Sequence, residues 1–258
     1  RHNLYDTRVV QADRRDTGLL LMKYGHYSDY DLRTHEQWPF RCPSWTPMPD
    51  GKKNVVILGC SHTWGVGLEP HETWVHDVSK HNTERLRYWN LGQPGAGADS
   101  VVRILYSCQK VINPNIILVC WPEISRRERM ENIPLDWDGK HLPTNILGSD
   151  KRLRYETNQT DFNNFYKNLF FLEKFAENHG CKTFHTFADT VIDIKQWNKS
   201  LNVIEDYTLR NCWPYWDKFT ARKLNTQPSK ARDGKHYGEE NHKRFAQIVL
   251  ERFSAKLK

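Results

Sequence analysis

The stretch NVVILGCSHTWGVG, residues 54–67, decides the fold. Asn54 to Gly59 is a short, β-rich apolar run, the pattern of a strand buried on both faces of a parallel sheet. It runs directly into a turn that holds Cys60, Ser61 and His62. Two readings of Ser61 follow. It is a nucleophile presented at the end of a strand, or it is a serine that caps a helix. The stretch alone leaves both open, and the choice depends on residues far away in the chain.

Moving outward, the pattern alternates. Glu72 to Lys80 is read as a helix, and Arg87 to Leu91 (RYWNL) as a second strand that leads into the Gly-rich loop GQPGAGA. Asp99 to Ile112 carries a helical apolar stripe, with Asp99 or Ser100 placed to cap it. Asn115 to Trp121 (NIILVCW) is a third buried strand. Phe162 to His179 is an amphipathic helix closed by Gly180, Cys181 to Phe187 a fourth strand, and Glu239 to Lys256 a final helix. Segments of about 122–160 and 190–232 are polar and irregular and are read as insertions. Residues 1–52 lack periodicity, and Gln37 to Asp50 is rich in Pro and Trp, as expected of an extended arm preceding a domain over 53–258. Strands alternating with helices predict an α/β fold with a parallel sheet and helices on both faces. In such sheets ligands sit beyond the carboxyl ends of the strands. Ser61, Gly92 to Gly97 and Trp121 to Arg126 all follow strand ends and should gather on one rim.

Composition narrows the function classes. Lys and Arg number 38 against 31 Asp and Glu, a formal charge of +7. The charge is dispersed and accompanies no helix-turn-helix, zinc-finger or RNP pattern, so it is read as a solvated surface and not as a nucleic-acid site. None of the six cysteines forms a C-x-x-C pair, which argues against structural zinc. Cys108 and Cys120 lie in apolar segments and are read as buried free thiols. No Lys follows the glycines of the second loop in P-loop fashion, and no cofactor is called for. No apolar run reaches the roughly 18 residues of a membrane span. A soluble protein is expected, cytoplasmic or virion-associated, or secreted after removal of a leader.

A serine nucleophile needs a base, and the base an orienting acid. Among twelve histidines, His236 stands out: RDGKHYGEE, residues 232–240, places Asp233 three residues ahead of it in a loop. Taken alone, that spacing is also a D-G turn followed by an exposed histidine. Three blocks taken together, Gly59-Cys60-Ser61-His62-Thr63-Trp64-Gly65, Asn90-Leu91-Gly92-Gln93-Pro94-Gly95 and Asp233-Gly234-Lys235-His236, resemble the SGNH hydrolase superfamily, the GDSL esterases and lipases. The resemblance covers about residues 53–120 and 160–255. It implies a flavodoxin-like α/β/α sandwich on a five-stranded parallel sheet. It implies Ser61 as nucleophile, His236 as base, Asp233 as the acid that orients it, and an oxyanion hole built from the backbone N–H groups of Ser61 and Gly95.

Two positions depart from the family pattern. Cys60 replaces the acid of G-D-S, a tolerable apolar substitute in a turn. The Asn that the family supplies after the third strand is missing from Val119-Cys120-Trp121-Pro122-Glu123-Ile124-Ser125-Arg126. Glu123 stands nearest its place, and the Trp121 indole and Arg126 are candidate substitute donors. The W-x-E-x-x-R segment resembles divergent members, some encoded by phages. The function implied is hydrolysis of a small-molecule or glycan ester through an acyl-enzyme, with a carbohydrate O-acetylesterase as one form and Trp121, Trp137, Trp213 and Trp216 as candidate glycan-lining residues. The alternative is a binding or structural module of the same fold, such as a virion or surface component, docked to a protein partner through residues 1–50.

Overall fold

The structure is a computed structural model that describes residues 40–42, 51–130, 143–146, 158–188, 203–208, 229–234 and 236–257. Most of the expected arm, and Trp137, Trp213 and Trp216, lie outside the described residues. The elements run β1 (Lys53–Gly59), α1 (Ser61–Trp64), a 3-10 turn (Pro70–Glu72), α2 (Trp74–Ser79), β2 (Leu86–Asn90), α3 (Ala98–Ile112), β3 (Ile116–Trp121), β4 (Arg127–Met130), β5 (Pro143–Ile146), α4 (Asn158–His179), β6 (Lys182–Phe187), β7 (Val203–Thr208) and α5 (Glu239–Leu257).

One five-stranded sheet has the order β2-β1-β3-β6-β7, with every pair parallel. Side chains of a strand alternate between faces, and here both faces are covered. Val56, Leu58, Ile117, Val119 and Trp121 join α3 and α4 in one core. Val55, Ile57, Ile116, Leu118 and Cys120 join α2 and α5 in the other. That two-sided burial is why β1 and β3 are continuous apolar runs and not alternating ones. The result is the expected α/β/α sandwich.

Two segments expected to be irregular contain strands. β4 and β5 pair antiparallel inside the first insertion. β7 lies inside the second and joins the sheet edge at His185↔Val203 and Phe187↔Thr208, with an irregularity between. Its sequence VIEDYT mixes charge into the run, as edge strands tolerate and central strands do not.

Asp99 does not cap α3. Its carboxylate instead accepts from Asn164 Nδ2 at 3.1 Å and Asn168 Nδ2 at 2.9 Å, tying α3 to α4. Nor is Ser100 the cap: Gly97 takes that position, and the Ser100 hydroxyl, in the first turn of the helix, accepts from Gly97 N–H at 3.4 Å. Cys42, Cys60, Cys108, Cys120 and Cys181 are free thiols, and burial pushes the Cys108 thiol far above its ordinary range. Among the described residues no helix is long and apolar enough to cross a membrane.

Candidate active site

β1 ends at a turn that only glycine can make. A Cβ on Gly59 would sit 2.1 Å from Thr63 Oγ1 and 2.7 Å from the Cys120 carbonyl oxygen. Cys60 occupies the N-cap position of α1 without a side-chain cap bond. Its carbonyl accepts from the Thr63 and Trp64 N–H groups at 2.9 and 3.0 Å. Ser61 is therefore the first residue of the helix and not its cap. Ser61 is 5% exposed, and its hydroxyl makes no hydrogen bond among the described residues. Gly65 closes α1 in the left-handed region at φ 84°, where a side chain would be strained.

The loop after β2 packs directly onto this turn. Asn90 bridges the two: its Nδ2 donates to the Thr63 carbonyl at 3.0 Å and its Oδ1 accepts from Gly92 N–H at 3.0 Å. Gln93 N–H donates to the Gly59 carbonyl at 2.9 Å. A Cβ on Gly92 would reach within 2.6 Å of Trp64 N, so glycine sets this close approach. The backbone N–H groups of Ser61 and Gly95 donate to no acceptor among the described residues.

The third loop reaches the same turn from the far end of the chain. Arg232 N–H donates to the Gly67 carbonyl at 3.0 Å, and its guanidinium grips both Glu72 oxygens at 2.8 Å. Both bonds come from the single nitrogen Nη2, while Nη1 donates to the Gly67 carbonyl at 3.2 Å. Gly67 has φ 77°, and a Cβ there would lie 2.8 Å from the Ala231 Cβ and 3.2 Å from the Asp233 carboxyl carbon. So anchored, Asp233 lies 5% exposed beneath a His236 that is 26% exposed. Asp233 Oδ1 accepts from His236 N–H at 3.0 Å, and Oδ2 faces His236 Nδ1 at 2.5 Å. A carboxylate on Nδ1 holds the imidazole with Nε2 as its remaining functional atom.

The His236 ring sits 5.4 Å from that of His62, the residue after Ser61. His62 also lies 5.2 Å from the Tyr237 ring. Burial, reinforced by the charges of His236, His242 and Arg126, holds His62 well below the ordinary histidine range. Burial also lowers His242 to about 3, helped by His236 and Arg41; its Nδ1 accepts from Trp74 N–H at 3.1 Å. Both are neutral at pH 7, and neither adds a positive charge beside His236. A second histidine–carboxylate pair, His185–Glu173 at 2.6 Å, has its histidine in the core at 1% exposure and its carboxylate half-buried.

The segment after β3 departs from the sequence reading at Trp121. Its indole N–H is donated to His185 Nδ1 at 3.0 Å, and the side chain is fully buried. Trp121 therefore offers neither a donor to the rim nor a face to a glycan. Glu123 is 41% exposed on its side chain and lies 3.9 Å from Arg126 Nε, beyond hydrogen-bonding range. Two further residues build the rim without a local sequence signal. Asn90, in Asn90-Leu91-Gly92-Gln93-Pro94-Gly95, is the bridge to α1. Gln93 is 2% exposed, with both amide atoms unbonded among the described residues. Within those residues no group of three or more His, Cys, Asp or Glu is arranged to hold a metal ion.

No family model and no curated protein sequence matches the chain. Solved structures with a similar architecture exist. TesA is 12% identical with a TM-score of 0.48, covering 79% of this chain and 99% of its own. A member of the lipolytic protein G-D-S-L family from Veillonella parvula is 14% identical with a TM-score of 0.48, covering 78% and 98%. The acetyl xylan esterase AlAXEase is 13% identical with a TM-score of 0.46, covering 77% and 98%. These are likenesses of overall architecture. What the chain does has to come from its own side chains.

Proposed function

We propose that this chain is a serine esterase of the SGNH type, with Ser61 as nucleophile, His236 as general base and acid, and Asp233 as the group that orients His236. The observation that carries the reading is the Asp233–His236 pair on a loop hydrogen-bonded to Gly67, six residues from Ser61 along the same turn. Substrate binding brings the Ser61 hydroxyl and His236 Nε2 into hydrogen-bond range, a contact that tightens in the Michaelis complex.

In the first step Ser61 Oγ attacks the ester carbonyl carbon and its proton passes to His236 Nε2. Asp233 accepts the Nδ1 proton's hydrogen bond and stabilises the imidazolium. The carbonyl oxygen becomes an oxyanion, which the N–H groups of Ser61 and Gly95 face. Collapse breaks the bond to the alcohol, which leaves with the proton from His236. Water then attacks the acyl-enzyme, His236 takes its proton, and the acid departs with Ser61 restored. None of these steps calls for a cofactor.

A small acyl group is the first class to screen, acetylated polysaccharides included. The test is turnover of p-nitrophenyl acetate by the wild type and by Ser61→Ala. The reading expects turnover that vanishes in the variant. A folded wild type with no turnover would favour the alternative, a binding module of this fold. One observation speaks for that alternative: Glu123 in place of the donating amide, which removes a ready oxyanion donor.

A further inference from the structure

We propose that the Arg126 guanidinium is the third donor of the oxyanion hole, replacing the amide that the segment after β3 lacks. The inference rests on the serine-esterase reading and deepens it.

The backbone places Arg126 against the oxyanion loop. A Cβ on Gly97 would come within 2.6 Å of the Arg126 carbonyl oxygen and 3.1 Å of Arg127 N. Gly97 is two residues from Gly95, whose N–H is uncommitted. Glycine at 97 is thus what lets the segment after β3 close onto the loop after β2. A turn from the Glu123 carbonyl to Arg126 N–H, 3.1 Å long, and the Arg127–Asp161 ion pair hold the segment on either side.

The side chain is largely withdrawn from solvent. It is 21% exposed, and its Nε is buried without a hydrogen bond. Its ionic neighbour Glu123 stays 3.9 Å from that Nε, so the pair attracts without a hydrogen bond between them. A buried guanidinium Nε–H without a hydrogen bond among the described residues calls for an explanation, and a ligand that brings negative charge supplies one. The charge of Arg126 is also felt at His62, which adjoins Ser61 and touches the His236 ring. The Arg126 charge thus lies within electrostatic reach of the residue that follows Ser61.

The chemistry fits an oxyanion better than a bound anion. In the ground state Glu123 offsets the charge of Arg126, so the pair has little pull on a substrate carboxylate. When the tetrahedral intermediate forms, a full negative charge appears at the carbonyl oxygen. A guanidinium N–H then makes a charge-assisted bond, shorter and roughly twice as strong as one from a neutral amide. Glu123 is a positioning residue in this scheme, steadying Arg126 from the Nε side.

The test uses the full chain and p-nitrophenyl acetate, with kcat and KM measured separately. Arg126→Ala should lower kcat by about 10²–10³-fold with KM changed by no more than about twofold. Arg126→Lys should recover part of the loss. Methylguanidinium added to Arg126→Gly should restore turnover in a saturable way, which a merely structural role would not do. An active wild type whose kcat is unmoved in Arg126→Ala would overturn this inference and leave the esterase reading standing. So would a rise in KM confined to anionic esters, or a kcat loss found only in Gln93→Leu. A folded wild type inert toward both the ester and a fluorophosphonate would overturn both readings together.

Discussion

The Asp233 side chain is buried, and its carboxyl oxygens meet both the backbone N–H and the ring of His236. Asp233→Asn keeps the shape but no longer enforces the proton on Nδ1. It should lower kcat by roughly 10³–10⁴-fold with little change in the melting temperature, a pairing read from kinetics and calorimetry on the same sample. Gly67 works on the same loop through its backbone. Gly67→Ala puts a methyl 2.8 Å from the Ala231 Cβ at φ 77°, so it should destabilise by about 1–3 kcal/mol in urea unfolding and reduce kcat as the Asp233 loop shifts. The candidate site residues were legible only as a set: Ser61 alone reads equally as a cap and His236 alone as an exposed histidine, and only the three Gly-containing blocks together point to one site. The role of the Trp121 indole was not legible, because its partner His185 is 64 residues away and nothing local in NIILVCW marks it.

Each element of the rim is anchored by a pair that the sequence does not display. Glu72 and Arg232 are 160 residues apart, yet their ion pair fixes the His236 loop to the turn after α1. Burial raises the Glu72 carboxyl, but the Glu69 N–H and Arg232 outweigh it and hold the group below the usual carboxylate range. Its folded value being depressed, its contribution to stability is present above about pH 4.3 and is lost as the pH falls through the lower folded value. His62 and His242 act earlier on the same acid limb. Both are buried neutral, whereas in the unfolded chain they protonate near pH 6.5. Between there and about pH 3 for His242 the unfolded state binds more protons, so stability falls as pH falls. Each histidine contributes a slope of up to about 1.4 kcal/mol per pH unit. His242→Asn, whose Oδ1 can still accept from Trp74 N–H, should flatten that slope by up to one proton; urea midpoints between pH 4 and 7, taken as about that window, check it.

At the scale of the whole molecule, the sheet was readable at its centre and not at its edge. β1 and β3 are sealed between two helix layers, so their sequences are nearly pure apolar runs. β7 is an edge strand with Glu and Asp in it, and pairing at only two positions needs no such run. Hydrogen exchange should show the same gradient: slowest amides in β1 and β3, and β7 exchanging faster by orders of magnitude through local opening. The candidate site draws on the start of α1 at Ser61, the loop that holds Gly95, and Asp233 with His236, and the parallel pairing of β1 with β2 is what brings the first two together beyond neighbouring strand ends. That gathering matters only if it makes Ser61 reactive. The direct measurement is intact-protein mass spectrometry after exposure to a fluorophosphonate, followed by peptide mapping. One covalent adduct on Ser61, absent in Ser61→Ala and slowed in His236→Ala, is the expected result. A folded protein that stays unlabelled, or an adduct on any other residue, would contradict it.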